Sequence, residues 1–122
     1  MNTSTTSLDD DKLKEKCAVF GIYGTEAAAK LTYYGLWALQ HRGQESSGIV
    51  SSDYTTMYRH ADFGLVANVY EENDLAGLKG SIAIGHNRYA TSGGHNPAYN
   101  QPFLSPSKQF SLAHNGNLPL TD

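Results

Sequence analysis

The sequence predicts an α+β fold built mainly on antiparallel sheet. Three observations carry that reading. Short apolar or alternating runs of strand length recur along the chain and outnumber the single strongly helical segment. Turn residues separate them at hairpin-like spacing. No regular strand–helix–strand alternation of the kind that builds a parallel sheet is present.

The elements follow in order. Residues 1–16, MNTSTTSLDDDKLKEK, are polar and carry too little apolar surface to fold alone. The composition changes at Cys17. The run CAVFGIYG then gives a buried strand over Ala18–Tyr23, closed by Gly24. Thr25 as an N-cap, with Glu26 in the first turn, starts a helix. Ala27, Leu31, Tyr34 and Ala38 fall on one stripe of that helix, and Gly43 is its expected stop. Gly35 inside it costs up to about 1 kcal/mol against Ala, which points to close packing at that position. Ser46–Ser52 and Thr55–Arg59 are expected as two strands turning near Asp53-Tyr54, and Glu71–Lys79 as a short helix or loop. Ser81–Tyr89 is a strand running into a Gly/Asn/Pro loop over Thr91–Pro102. Phe110–His114 is a last strand that ends at Asn115-Gly116.

A length of 122 residues allows one domain at most. With 9 Lys and Arg against 12 Asp and Glu, the net charge is −3, so no clustered basic face points to nucleic acid. No apolar run approaches the roughly 20 residues of a membrane helix. One cysteine excludes a disulfide scaffold and Cys-rich zinc motifs, and a lone thiol fits a reducing cytoplasm. The leader lacks the apolar core of a secretory signal and has no Arg to support a mitochondrial one.

Four places carry candidate chemistry. Cys17 sits where the polar leader meets the fold. A buried, inert thiol is the plain alternative. Were the leader removed, however, its own α-amine would stand beside its thiol, and one residue would hold both base and nucleophile. Arg88, in Gly85-His86-Asn87-Arg88-Tyr89, ends a strand before a Gly-rich loop, where a guanidinium can grip a carboxylate with paired hydrogen bonds. An ordinary surface Arg is its alternative. Asn115-Gly116 is a favoured hairpin turn, and the same geometry can aim a side-chain amide and a backbone N–H at one oxyanion. Gln40–Gly48 has glycine spacing like a phosphate loop but lacks its Lys-Ser/Thr, so it is a loop. The five histidines show no metal-ligand spacing, and no metal is expected in this chain.

Four segments, CAVFGIYG, LQHRGQESSGI, GHNRYATSG with NQPF downstream, and AHNGNL, together resemble the glutaminase domain of the amidophosphoribosyltransferase family. That family is a branch of the class II glutamine amidotransferases, which are N-terminal-nucleophile (Ntn) hydrolases. The resemblance runs from about Cys17 to Leu118. It favours this branch over the glucosamine-6-phosphate synthases, which prefer YRGYDS-like and GHTRWATHG-like motifs.

The resemblance implies an αββα sandwich, of which only the N-terminal part is expected here, with residues 1–16 as a leader and 17–122 as a partial amidotransferase domain. It implies Cys17 as the nucleophile on the γ-amide of glutamine, Asn115 and Gly116 as the oxyanion pair, Arg88 as the holder of the glutamine α-carboxylate, and Arg42 as an ordering residue near the nucleophile. It implies that ammonia passes to phosphoribosyl pyrophosphate in a second domain, giving 5-phosphoribosylamine for purine synthesis. It also implies Mg²⁺ in that domain, an iron–sulfur cluster in some relatives, and a homo-oligomer for the full-length protein. Ala18 stands where the family usually has Gly, and the leader ends in Glu15-Lys16. A piece of this extent is expected to be inactive alone. Two other readings stay open: a class II amidotransferase with a different ammonia acceptor, and a non-catalytic interaction module.

Overall fold

The structure is a computed structural model and describes residues 17–40, 44–89, 100–107 and 110–114. Within these, β1 (Ala18–Tyr23), β2 (Gln44–Ser52), β3 (Met57–Phe63) and β4 (Ile82–Tyr89) form one sheet in the order β1-β4-β2-β3. Every neighbouring pair is antiparallel. Helix α1 (Ala28–Leu39) packs on β4, β1 and β2. Two short helices, α2 (Val66–Val69) and α3 (Glu72–Ala76), link β3 to β4, and a two-stranded ribbon pairs β5 (Phe103–Leu104) with β6 (Ser111–Leu112). The α+β class and its antiparallel sheet stand as expected.

β1 occupies the span expected of it but is not a buried strand: it lies at the edge of the sheet, and Val19, Gly21 and Tyr23, on the face away from α1, are exposed. The β2–β3 turn falls at Asp53-Tyr54, where the Asp53 carboxylate accepts bonds from the Thr55 and Thr56 amides and the Tyr58 hydroxyl. Those donors hold its carboxyl well below the usual carboxylate range, the Thr56 amide foremost. β3 runs to Phe63, four residues beyond the expected Arg59. Phe103–Leu104 was not foreseen as a strand, and the last strand shrinks to Ser111–Leu112.

The helix begins three residues past Thr25, whose hydroxyl accepts from the Ala27 amide. It ends at Leu39, before the expected stop; Gly43 lies outside the described residues. Its buried stripe is also not the expected one. Ala28, Ala29, Thr32 and Leu36 face the sheet, whereas Ala27, Leu31, Tyr34 and Ala38 are exposed. The reason is close approach. A Cβ on Gly35 would lie 2.6 Å from the Phe20 ring, and one on Gly85 would lie 2.6 Å from Thr32 Cγ2. Glycine on one side of each contact lets Phe20 press on α1 and Thr32 and Leu36 press on β4, which turns this stripe to the sheet. The role in close packing expected of Gly35 is what the structure has.

Strand residues alternate between the two faces of the sheet. On β4, Ala83, Gly85, Asn87 and Tyr89 point toward α1, while Ile84, His86 and Arg88 point to the opposite face. That second face is crossed by the segment 100–102. Arg59 on β3 fastens it, donating from Nε to the Pro102 carbonyl at 2.9 Å and from Nη2 to the Asn100 carbonyl at 2.8 Å. The peptide before Pro102 is cis. Gly48 lies directly below, and a Cβ there would collide with the Gln101 carbonyl oxygen and stand 2.8 Å from Ala61 Cβ. Gly48→Ala is therefore expected to destabilise the fold by about 1–3 kcal/mol, as overpacking against backbone does. Urea unfolding of the two proteins measures this, and equal midpoints would mean that the segment is not pressed against β2.

Candidate active site

The antiparallel register decides which residues meet. β1 pairs with β4 from Tyr23 opposite Ile82 to Ala18 opposite Asn87. One more step of that register sets Cys17 across from Arg88. On the other flank of β4, Ser46 of β2 is opposite Arg88. Cys17, Arg88 and Ser46 thus lie in one row across three strands. Directly opposed residues share a face, with Cβ atoms about 4.5–5.5 Å apart. Cys17 is a free, half-buried thiol, and Arg88 is half-buried. The row sits at the end of the sheet where the register of β2 shifts between Gln44 and Ser46.

The face toward α1 fixes β4 in place. Asn87 is fully buried and donates from Nδ2 to the Leu36 carbonyl at 2.9 Å. Its Oδ1 accepts from Ser47 Oγ at 2.8 Å. That bond uses the one hydroxyl proton of Ser47, so the Tyr70 hydroxyl, 2.8 Å away, donates to Ser47 Oγ. Burial pushes the Tyr70 phenol well above its ordinary value and keeps this donor protonated. Tyr89 donates to the Leu39 carbonyl at 3.1 Å. Two of the last helical carbonyls are thus satisfied from the strand that carries Arg88.

The opposite face holds the remaining polar groups near the row. His86, two residues before Arg88 and on the same face, is fully buried. Its Nε2 is 3.0 Å from the His114 carbonyl oxygen. A carbonyl only accepts, so Nε2 carries the proton and donates. Nδ1 is buried and has no hydrogen-bond partner among the described residues. Burial, foremost, lowers the His86 pKa; the bond to the His114 carbonyl opposes this, the nearby Arg88 and His114 charges add to it, and the net result is a pKa of about 4. His86 is therefore neutral near pH 7. The amide of His114 in turn donates to Gln101 Oε1.

The candidate residues are placed as follows. Cys17 and Arg88 come together in one row on one face. Asn115 and Gly116, which directly follow His114, lie outside the described residues, as do Arg42 and residues 1–16. His86 and Gln101 are the polar groups that the sequence reading did not single out. For His86 a signal existed: two residues apart on a strand, His86 and Arg88 must share a face. Nothing local marks Gln101, because its partner is 13 residues away and held by tertiary structure. Among the described residues, no group of three or more His, Cys, Asp and Glu side chains is placed to hold a metal ion. No described helix is long and apolar enough to cross a membrane.

No protein-family model matches the chain. Relatives do. An amidophosphoribosyltransferase of Synechocystis is 50% identical over 115 residues, covering 92% of this chain and 23% of the relative. One from Bacillus subtilis is 50% identical over 109 residues, covering 87% and 23%. The chloroplastic amidophosphoribosyltransferase 3 of Arabidopsis thaliana is 48% identical over 118 residues, covering 94% and 22%. The chain thus spans under a quarter of the length of these relatives. Among solved structures, one described as the allosteric regulatory enzyme of purine biosynthesis superposes with a TM-score of 0.68 at 48% identity, over 75% of this chain and 20% of the other. The glutamine phosphoribosylpyrophosphate amidotransferase of B. subtilis, solved with ADP and GMP, gives 0.63 at 46% identity, over 73% and 19%. In sequence over most of its length, and in backbone path over about three quarters of it, the chain is thus similar to the N-terminal part of amidophosphoribosyltransferases.

Proposed function

We propose that this chain carries the glutamine-hydrolysing half-site of an amidophosphoribosyltransferase. The observation that supports it most is the register that sets Cys17 across from Arg88 on one sheet face. Side chains that leave neighbouring strands in one row on one face can reach the two ends of one small substrate. Arg88 holds the carboxylate with two parallel N–H···O bonds, and the amide carbon then falls near Cys17 Sγ.

In this reading residues 1–16 are a leader, and removal of it frees the Cys17 α-amine. The amine takes the thiol proton, and Sγ attacks the amide carbon. The carbonyl oxygen becomes an oxyanion, stabilised by the Asn115 side-chain amide and the Gly116 N–H. When the tetrahedral intermediate collapses, the C–N bond breaks and nitrogen leaves as ammonia, taking the proton from the α-ammonium. Water then cleaves the Cys17 thioester and releases glutamate, restoring the thiol. Arg42 orders the loop beside the nucleophile. Residues 17–122 make up part of the amidotransferase domain.

The relatives' names support the further course of the nitrogen. Ammonia displaces pyrophosphate from phosphoribosyl pyrophosphate and gives 5-phosphoribosylamine, the first committed step of purine synthesis. That transfer belongs to a phosphoribosyltransferase domain outside this chain. In this reading Mg²⁺, and an iron–sulfur cluster where a relative has one, also belong outside it. The working protein is a homo-oligomer in the cytoplasm; among the relatives, the Arabidopsis one is chloroplastic.

Glutamate release by the full-length, leader-free protein tests the assignment. Arg88→Ala removes a ground-state anchor, so KM for glutamine rises at least about tenfold while kcat falls much less. An unchanged KM would count against Arg88 as the carboxylate holder. Asn115→Ala lowers kcat by about 10²–10³. A kcat within about twofold of the parent would reject the oxyanion assignment.

A further inference from the structure

His114 is held from two sides. Its N–H donates to Gln101 Oε1, and its carbonyl accepts from His86 Nε2. Neither holder is free to drift. His86 is fully buried on the central strand β4, and the backbone around Gln101 is fastened by both arms of Arg59. Below it Gly48 leaves room for no more than a hydrogen, so the Gln101 backbone rests on β2 itself.

The geometry points to His86 and Gln101 as a clamp that positions the oxyanion pair relative to Arg88. The inference rests on the glutaminase reading and adds two positioning residues to it. The peptide bond is planar, and the His114 carbonyl lies in the same plane as the Asn115 N–H and Asn115 Cα. A donor that fixes this carbonyl therefore fixes the plane from which Asn115 emerges. His86 and Arg88 are two residues apart on one strand and one face. The strand that holds the substrate carboxylate thus also holds the peptide next to the oxyanion donors. Its neutral ring brings no second positive charge beside Arg88, and its Nε2 proton is committed to the carbonyl rather than to the reaction. Catalytic donors must be held within about 0.5 Å of the productive geometry, and a misplacement of about 1 Å costs up to about 100-fold in rate.

Two amide substitutions separate this role from simple packing. His86→Gln keeps an N–H donor at the reach of Nε2, whereas His86→Asn places its amide only as far as Nδ1. His86→Asn is expected to lower kcat for glutamine hydrolysis about 10- to 100-fold with KM within about twofold, because Arg88 still anchors the substrate. His86→Gln returns kcat to within about threefold of the parent. Hydrogen exchange at the His114 amide gives a readout independent of activity. It is expected to quicken at least about tenfold in His86→Asn and to match the parent in His86→Gln. Equal kcat and equal exchange in the two variants, or a change confined to KM, would overturn the clamp. Should a histidine variant fail to fold, Gln101→Leu against Gln101→Glu asks the same question from the other side, since only the glutamate keeps an acceptor for the His114 N–H. If the full-length, leader-free parent releases no glutamate, the glutaminase reading falls, and the exchange comparison alone decides the clamp.

Discussion

The register between β1 and β4 is the constraint on which the rest of the site depends. It sets Ala18 opposite Asn87 and, one residue further, the only thiol of the chain opposite Arg88. A slip of one residue would turn every side chain of β1 to the other face and carry Cys17 into the packing against α1. What prevents the slip is the shape of the α1 interface. The Phe20 ring fits only over Gly35, and Thr32 and Leu36 fit only over Gly85. A functional juxtaposition on one face is thus secured by steric fit on the other.

β4 is the strand through which both faces communicate. Toward α1 it offers Asn87 and Tyr89, which bond the Leu36 and Leu39 carbonyls. Toward the opposite face it offers His86 and Arg88. Asn87 is buried without charge, and each of its amide atoms has a partner, so the cost of burying it is offset. Because the helix side is satisfied and close-packed, the site side has a rigid floor. Groups mounted on such a floor are held more closely than groups on loops.

The sequence made some of this legible and hid the rest for physical reasons. β1 stood out because a short apolar run, Val19, Phe20, Ile22 and Tyr23, closed by Gly24 is a local signal, and Asp53-Tyr54 was readable because turn chemistry is local too. The buried stripe of α1 differs from the expected one because two stripes of the helix share the same period, and only contact with β1 and β4 sets which of them faces inward. Close packing there buries Ala28, Ala29, Thr32 and Leu36 and leaves Leu31, Tyr34 and Ala38 outside. Cys17 and Arg88 were each identifiable as chemistry, but their adjacency is a property of strand pairing across 71 residues and needed the fold. The bonds to His114 are likewise tertiary: their partners lie 28 and 13 residues away, joined by no periodic pattern.

The account stands on one glutamine being held by its carboxylate at Arg88 while its amide meets Cys17. The most direct test is the rate at which Cys17 is alkylated by a glutamine-shaped diazoketone, 6-diazo-5-oxo-norleucine, compared with iodoacetamide, which has no carboxylate to grip. The account predicts that Arg88→Ala slows labelling by the diazoketone at least about tenfold and leaves the iodoacetamide rate within about twofold, since only recognition of the substrate has been lost. Equal slowing of both reagents, or of neither, would contradict it.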